Sequence, residues 1–191
     1  MLTPEEVVQF REEGYLVFSG AIPEDRVAIH WAVLDDLVVR SREMTENEKP
    51  YWSLELDGVG DPIAGLLHKV QGACIAEPRI LDLASEPAIL DRVETLIGPD
   101  IDLFGTKFFP KLPAGGTSTQ WHQDNFYFGS TSDRIVSCGV YLEDTDSTNG
   151  CLRVIPRSHS SGNIVQHRHW PGFYGSWTTV NEEDVVDLPM L

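Results

Sequence analysis

With 191 residues and 30 acidic against 14 basic side chains, a formal charge of −16, the chain is long enough to bury a substantial core as one domain. It is too acidic to bind nucleic acid or anionic lipid through a broad basic surface. Cys74, Cys138 and Cys151 are scattered and lack Cys-x-x-Cys spacing, which argues against a disulfide framework or structural zinc and fits a reducing cytoplasm.

The opening residues carry no basic segment followed by an apolar one, and no long apolar run follows, so neither a signal peptide nor a membrane span is expected. Thr3, Pro4 and Glu6 have the spacing of a helix start, and Gly14 stops that helix. Val7, Val8 and Phe10 form its apolar face, and Tyr15 to Phe18 reads as a buried strand. A second helix follows Pro23, with Val27, His30, Val33, Leu34, Leu37 and Val38 at helical spacing; His30 there reads as a packed histidine. The stretch from Ser41 to Gly65 is polar and interrupted by Gly58, Gly60 and Pro62, so a loop or irregular lid is expected. Its Tyr51 and Trp52 either wall a pocket or seal the edge of the core. Leu66 to Gln71 is extended, which turns His68 and Lys69 to opposite faces. Ile80 to Ile97 is amphipathic and helical, broken near Glu86-Pro87 and stopped by Gly98-Pro99.

From Ile101 the pattern turns to strands, with turns at Pro110 and at Pro113 to Gly116. The next run, Thr117 to Phe128, is rich in aromatic and β-branched residues and is expected as a strand. His122 and Asp124, two apart, then share a face and offer an imidazole beside a carboxylate. That pair suits a first-row divalent ion such as Fe(II), in an arrangement that leaves positions open for a co-substrate and oxygen. It equally suits a hydrogen-bonded surface pair. Arg134 to Leu142 reads as a further strand, and Glu143 to Gly150 as an acidic connection closing on an Asn-Gly turn that is solvated rather than calcium-binding. Leu152 to Ile155 is another strand. Beyond Ser160 lies a Gly- and aromatic-rich loop with His167, His169, Trp170, Gly172, Phe173, Tyr174 and Trp177, and Val185 to Pro189 starts a last strand.

These stretches together resemble the phytanoyl-CoA dioxygenase family of Fe(II)- and 2-oxoglutarate-dependent oxygenases. The likeness rests on Leu2-Thr3-Pro4-Glu5-Glu6 through Val17, Lys69-Val70-Gln71, Lys111-Leu112-Pro113 with His122-Gln123-Asp124, and Asn149-Gly150-Cys151-Leu152 followed by Ile155-Pro156-Arg157-Ser158-His159. It implies a mainly β fold with flanking helices (α+β): a double-stranded β-helix, or jelly roll. Residues 1–100 would form a helical part and 101–191 the jelly-roll strands of a single oxygenase domain. It implies His122 and Asp124 as iron ligands and catalytic residues, Lys69 as a partner for a co-substrate carboxylate, and Lys107 near that co-substrate. The readings of Lys69 as a solvated charge and of Lys107 as an edge lysine stay open. His159 is expected to anchor a loop rather than hold metal, and Arg157 stands where many members have Gly.

The resemblance further implies strands beyond Leu191 that carry a second metal-binding histidine and an arginine for the distal carboxylate of 2-oxoglutarate. The chain is accordingly expected to be part of a longer product. The rivals are that His167 or His169 replaces the missing ligand, that the chain is a non-redox cupin-like binding module, or that it is an inactive truncated paralogue. On the first expectation, Fe(II), 2-oxoglutarate and O2 hydroxylate a C–H bond of a small organic substrate and release succinate and carbon dioxide. Asp124, a carboxylate where a halide could otherwise enter, favours hydroxylation over halogenation. Substrate identity and oligomeric state are left open.

Overall fold

The computed structural model describes every residue except 49, 112, 114, 115, 171–173 and 191. Parts of the Lys-Leu-Pro triplet, the Pro113 to Gly116 turn and the aromatic-rich loop (Gly172, Phe173) therefore lie outside the described residues.

The first helix, α1 (Pro4–Glu13), begins as its sequence predicts. The Glu6 N–H donates to the Thr3 hydroxyl at 3.2 Å and the Thr3 N–H to the Glu6 carboxylate at 2.8 Å, closing a reciprocal cap. Gly14 ends it at φ 88°, a left-handed conformation that suits glycine. None of its residues is fully buried: Val7 and Phe10 are half-buried and Val8 is exposed, so the apolar face is narrower than expected. Tyr15 to Phe18 is not a strand, because nothing among the described residues pairs with it; Phe18 packs instead under the Arg92 guanidinium.

Helix α2 (Glu24–Ser41) buries His30, Val33, Leu37 and Ser41, one face at helical spacing. It lies against α4 (Ile80–Ala84), which also packs on α3 (Ala73–Ala76); α5 (Pro87–Ile97) follows, with Pro87 opening it and Gly98 stopping it. The junction of α4 and α5 is clasped to α2 through Glu86, whose Oε1 accepts from Arg26 at 2.8 Å and meets His30 Nε2 at 2.6 Å. His30 is thus the packed histidine its position suggests.

The main sheet is antiparallel, in the order β1 (Trp52–Leu56), β2 (Pro62–Gln71), β3 (Lys107–Phe108). β1 and the first four residues of β2 arise within the stretch expected to be a loop, whereas the rest of β2 is the extended Leu66 to Gln71 segment that the sequence predicts. Trp52 and Leu54 of β1 are buried, and that burial outweighs the polar composition around them. Trp52 joins Val33, Leu37, Leu67, Val70, Ala73 and Ile80 in the core, and Tyr51 packs against it. The core-edge reading of these two aromatics is the correct one.

Downstream the structure is less regular than the strand-rich expectation. Residues 101–109 contribute only β3, and Arg134 to Leu142 forms no strand among the described residues because no neighbouring segment bonds to it. Thr117 to Phe128 is not a strand either: it ends in a short helix, α6 (Asn125–Phe128). The remaining ladders are two-stranded: β4 (Leu152–Val154) with β7 (Val186–Leu188), and β5 (Arg168–His169) with β6 (Ser176–Trp177). Among the described residues helix therefore exceeds strand, and the fold is mixed rather than mainly β. No helix of the described residues is long and apolar enough to cross a membrane.

One staple ties the two ends of this arrangement together. Arg157 adopts φ 61°, donates its N–H to the Glu13 carbonyl at 2.9 Å and pairs its guanidinium with the Glu13 carboxylate at 2.8 Å. His159 Nε2 donates to the Arg11 carbonyl at 3.0 Å, and its ring lies where a Cβ on Gly14 would be, 2.5 Å away. His159 is the loop anchor expected of it. Arg157 occupies a left-handed position that glycine would take without strain.

Candidate active site

The pairing of Gln71 with Lys107 brings β2 and β3 into a register that sets Lys69, two residues before Gln71, on the same face as both. That face borders a cavity of about 240 Å³ walled by Lys69, Lys107, His122, Tyr127, Tyr174 and Trp177, among others. Burial, and next the neighbouring Lys107 charge, lower the Lys69 pKa. Lys69 is not a solvated charge, its Nζ sitting 5.9 Å over Phe109; Lys107 is the edge lysine that one reading expected, exposed on β3 at the end of the sheet, and its Nζ also sits 5.8 Å over Phe128 and 3.6 Å from Asp124 Oδ1.

His122 lines this cavity and Asp124 meets it from behind, although not by the strand alternation that suggested them. Asp124 is already helical, at φ −55° and ψ −36°, and its carbonyl accepts the N–H groups of Tyr127 and Phe128 at 3.0 and 3.3 Å. The aromatic residues that read as strand formers turn this corner because each has a tertiary contact. Phe126 stacks on His167, Tyr127 meets His122 edge-on, and Phe128 meets Phe104. The turn still leaves His122 Nε2 only 3.4 Å from Asp124 Oδ1.

Each of the two side chains is held by a further bond. His122 Nδ1–H donates to the Gln120 carbonyl at 2.8 Å, which fixes the tautomer and leaves Nε2 facing Asp124. The Ser137 hydroxyl donates to Asp124 Oδ2 at 3.0 Å. The bond to Asp124 raises the His122 pKa despite burial, and the bond to His122, with Lys107 and Ser137 helping, holds Asp124 down to about 2. The edge of Trp177 packs against the imidazole at a ring distance of 5.4 Å. Nothing in the sequence marked Ser137, which sits in no recognisable pattern, whereas Trp177 comes from the Gly- and aromatic-rich loop already singled out.

His167 and His169 do not join the pair. His167 Nδ1–H donates to the Val165 carbonyl at 2.8 Å while Nε2 accepts the Gln123 N–H at 3.0 Å, so both ring nitrogens are engaged. His169 donates from Nδ1 to the Gly175 carbonyl at 2.9 Å on exposed β5. Among the described residues no three His, Cys, Asp or Glu side chains gather closely enough to hold one ion. In the acidic connection Asp146 is occupied by the N–H and hydroxyl of Thr148, at 2.7 and 2.6 Å.

His68 departs from expectation. The register of β1 and β2 runs Ser53 to Lys69 and then Leu54 to Leu67, so His68 is the extra residue of a bulge. The bulge cancels the alternation, and His68 lines the same cavity as Lys69.

The sequence profile of the family described as Phytanoyl-CoA dioxygenase (PhyH) matches residues 10–190. The chain belongs to the phytanoyl-CoA dioxygenase family. Within this family it is similar to the probable alpha-ketoglutarate-dependent hypophosphite dioxygenase of Stutzerimonas stutzeri, at 31% identity over 86% of this chain and 56% of that protein. It is 26% identical to the peroxisomal phytanoyl-CoA dioxygenase of Homo sapiens, over 90% of this chain and 52% of that protein. It is 22% identical to the ectoine dioxygenase of Bordetella bronchiseptica, over 83% of this chain and 50% of that protein. The chain thus spans about half the length of these curated family relatives. The fold is that of EvdO2 from Micromonospora carbonacea var. aurantiaca, solved in complex with 2-oxoglutarate, with a TM-score of 0.66 at 19% identity over all of this chain and 78% of that one.

Proposed function

We propose that this chain carries part of the active site of an Fe(II)- and 2-oxoglutarate-dependent dioxygenase that hydroxylates a C–H bond of a small organic substrate. The observation that carries it is the convergence of His122 Nε2 and Asp124 Oδ1, 3.4 Å apart, beside a cavity walled by two lysines. Two donors at that separation can share one ion at about 2.1 Å each, and a neutral imidazole with a carboxylate is the donor set of non-haem Fe(II) sites. Names among the relatives and the 2-oxoglutarate complex of the structural neighbour support the same chemistry.

His122 and Asp124 would hold the iron, with Gln120 and Ser137 orienting them. Iron and 2-oxoglutarate together would supply the oxidising power, releasing succinate and carbon dioxide as oxygen from O2 is delivered to the substrate. Lys69, whose ammonium faces the cavity, would pair with a carboxylate of 2-oxoglutarate. Lys107, 3.6 Å from Asp124 Oδ1, would balance the negative charge collected there. Tyr127, Tyr174 and Trp177 exclude water from the reacting atoms. The jelly roll and a reducing cytoplasmic setting belong to the same proposal. The fold likeness and the three free cysteines support these two parts respectively.

The test is anaerobic addition of Fe(II) and then 2-oxoglutarate to the full-length protein. A visible charge-transfer band is expected, lost in Asp124→Ala and formed only at higher 2-oxoglutarate in Lys69→Ala. A folded protein that binds iron elsewhere and shows no band overturns the proposal.

A further inference from the structure

The cavity has a second imidazole that iron chemistry leaves unused. His68, 8% exposed, meets buried Glu55 through Nδ1 at 3.1 Å from Oε1. Glu55, 3% exposed, is itself held: its Oε2 accepts the Thr117 N–H at 3.0 Å. Tyr174 stacks on the His68 ring at 5.1 Å, and its hydroxyl donates to the Leu54 carbonyl at 2.9 Å. Asn47 in turn accepts the Leu54 N–H at 2.8 Å. Such a carboxylate and stacked ring fix an imidazole in one orientation, with Nδ1 bound to the carboxylate and the other nitrogen left for a ligand.

Nε2 of His68 has no hydrogen-bond partner among the described residues. It also does not figure among their buried polar atoms that lack one, so it opens on the cavity the ring lines. The walls there are one-sided in charge. Although the chain carries −16 overall, the cavity is lined by Lys69, Lys107, His68 and His122 and by no carboxylate. Glu55 and Asp124 stand behind the imidazoles, each already bonded. An acidic protein that turns only cations and imidazoles toward one small aromatic-walled space is built to draw in anions.

We infer that His68, positioned by Glu55, is a binding residue for a small anionic oxyacid substrate, separate from the lysine that takes the co-substrate. This rests on the oxygenase proposal for what is done to the ligand, but not for where the ligand binds. The oxyacid oxygen shares one proton with His68 Nε2, Glu55 keeps the proton on Nδ1, and Lys107 supplies a positive charge. The bulge makes the site possible, because regular alternation would place His68 in the core behind Lys69.

The test uses the full-length protein with Zn(II) in place of iron and 2-oxoglutarate bound, titrated with inorganic phosphate and separately with acetate while imidazole nitrogens are followed by long-range 1H–15N NMR. The His68 signals, identified by their loss in His68→Gln, are expected to shift saturably with at least one of the two anions. Glu55→Gln should weaken that binding about tenfold or more, the size expected for one charge-assisted hydrogen bond. Because His68→Gln strands a buried carboxylate, Glu55→Gln/His68→Gln serves as the folded variant and should bind neither anion. No shift at His68, or equal affinity in Glu55→Gln, overturns the inference. A His68 shift in protein whose iron form shows no charge-transfer band keeps the anion site and removes the oxygenase reading alone.

Discussion

His122 Nε2 and Asp124 Oδ1 stand 3.4 Å apart, with the far side of each group tied to Gln120 and Ser137. The pair is oriented before any ion arrives, so its loss should cost metal affinity directly. His122→Ala and Asp124→Ala are each expected to weaken iron binding by about 100-fold or more, while Ser137→Ala, which removes only an outer bond, should cost roughly tenfold. Metal titration of the three folded variants checks the order; equal losses in all three would contradict it.

In the metal-free protein the two groups titrate in opposite directions. Asp124 is held down to about 2 from an unfolded value of 3.8, so its contribution to stability is present above pH 3.8 and fades as pH falls toward 2. His122 is raised above 6.5, so its contribution is complete below pH 6.5 and is lost as pH rises through its folded pKa. Between those limits, from about pH 4 to 6.5, the pair stabilises the fold most. Chemical denaturation across pH should show the advantage of wild type over Asp124→Asn peaking in that window. Iron must displace the His122 proton, so metal affinity should run the other way and rise through the same pKa.

The sequence showed the chemistry of this site better than its shape. Thr3, Gly14, Pro87 and Gly98 announced their helix boundaries because capping is local and needs only neighbouring residues. The His-x-Asp pair was legible by spacing, yet the strand assigned to it was wrong. Phe126, Tyr127 and Phe128 have strand propensity, and contacts with His167 and Phe104, remote in sequence, and with His122, one turn back, decide their conformation. β1 was hidden by the polar residues around Trp52 and Leu54. The His68 bulge was hidden because an extra residue in one strand is visible only against its partner.

Gly14 is expected to resist substitution. Gly14→Ala meets both a φ of 88° and the His159 ring 2.5 Å from the new Cβ. A loss of about 1–3 kcal/mol is expected. Adding His159→Ala should restore the steric part and leave the backbone part, so a double-mutant cycle by urea denaturation should show coupling. Purely additive losses would mean that the ring moves aside at no cost.

Tyr174→Phe removes a hydroxyl that bridges the Leu54 carbonyl and Asn47, at 2.9 and 3.0 Å, while keeping the ring that stacks on His68. It should lower stability by about 1 kcal/mol and leave 2-oxoglutarate affinity within about twofold. Thermal denaturation and the charge-transfer titration separate these two effects.

The bulge in β2 also sets how this cavity can be altered. Two successive side chains, His68 and Lys69, face inward where the first register shift against β1 falls. Shortening the strand there by a single residue would swing an imidazole out of the chamber without touching the iron pair, whereas exchanging the residue alone would only change what stands at the doorway. On the proposed reading, what this chamber would admit depends on strand length as much as on side-chain identity.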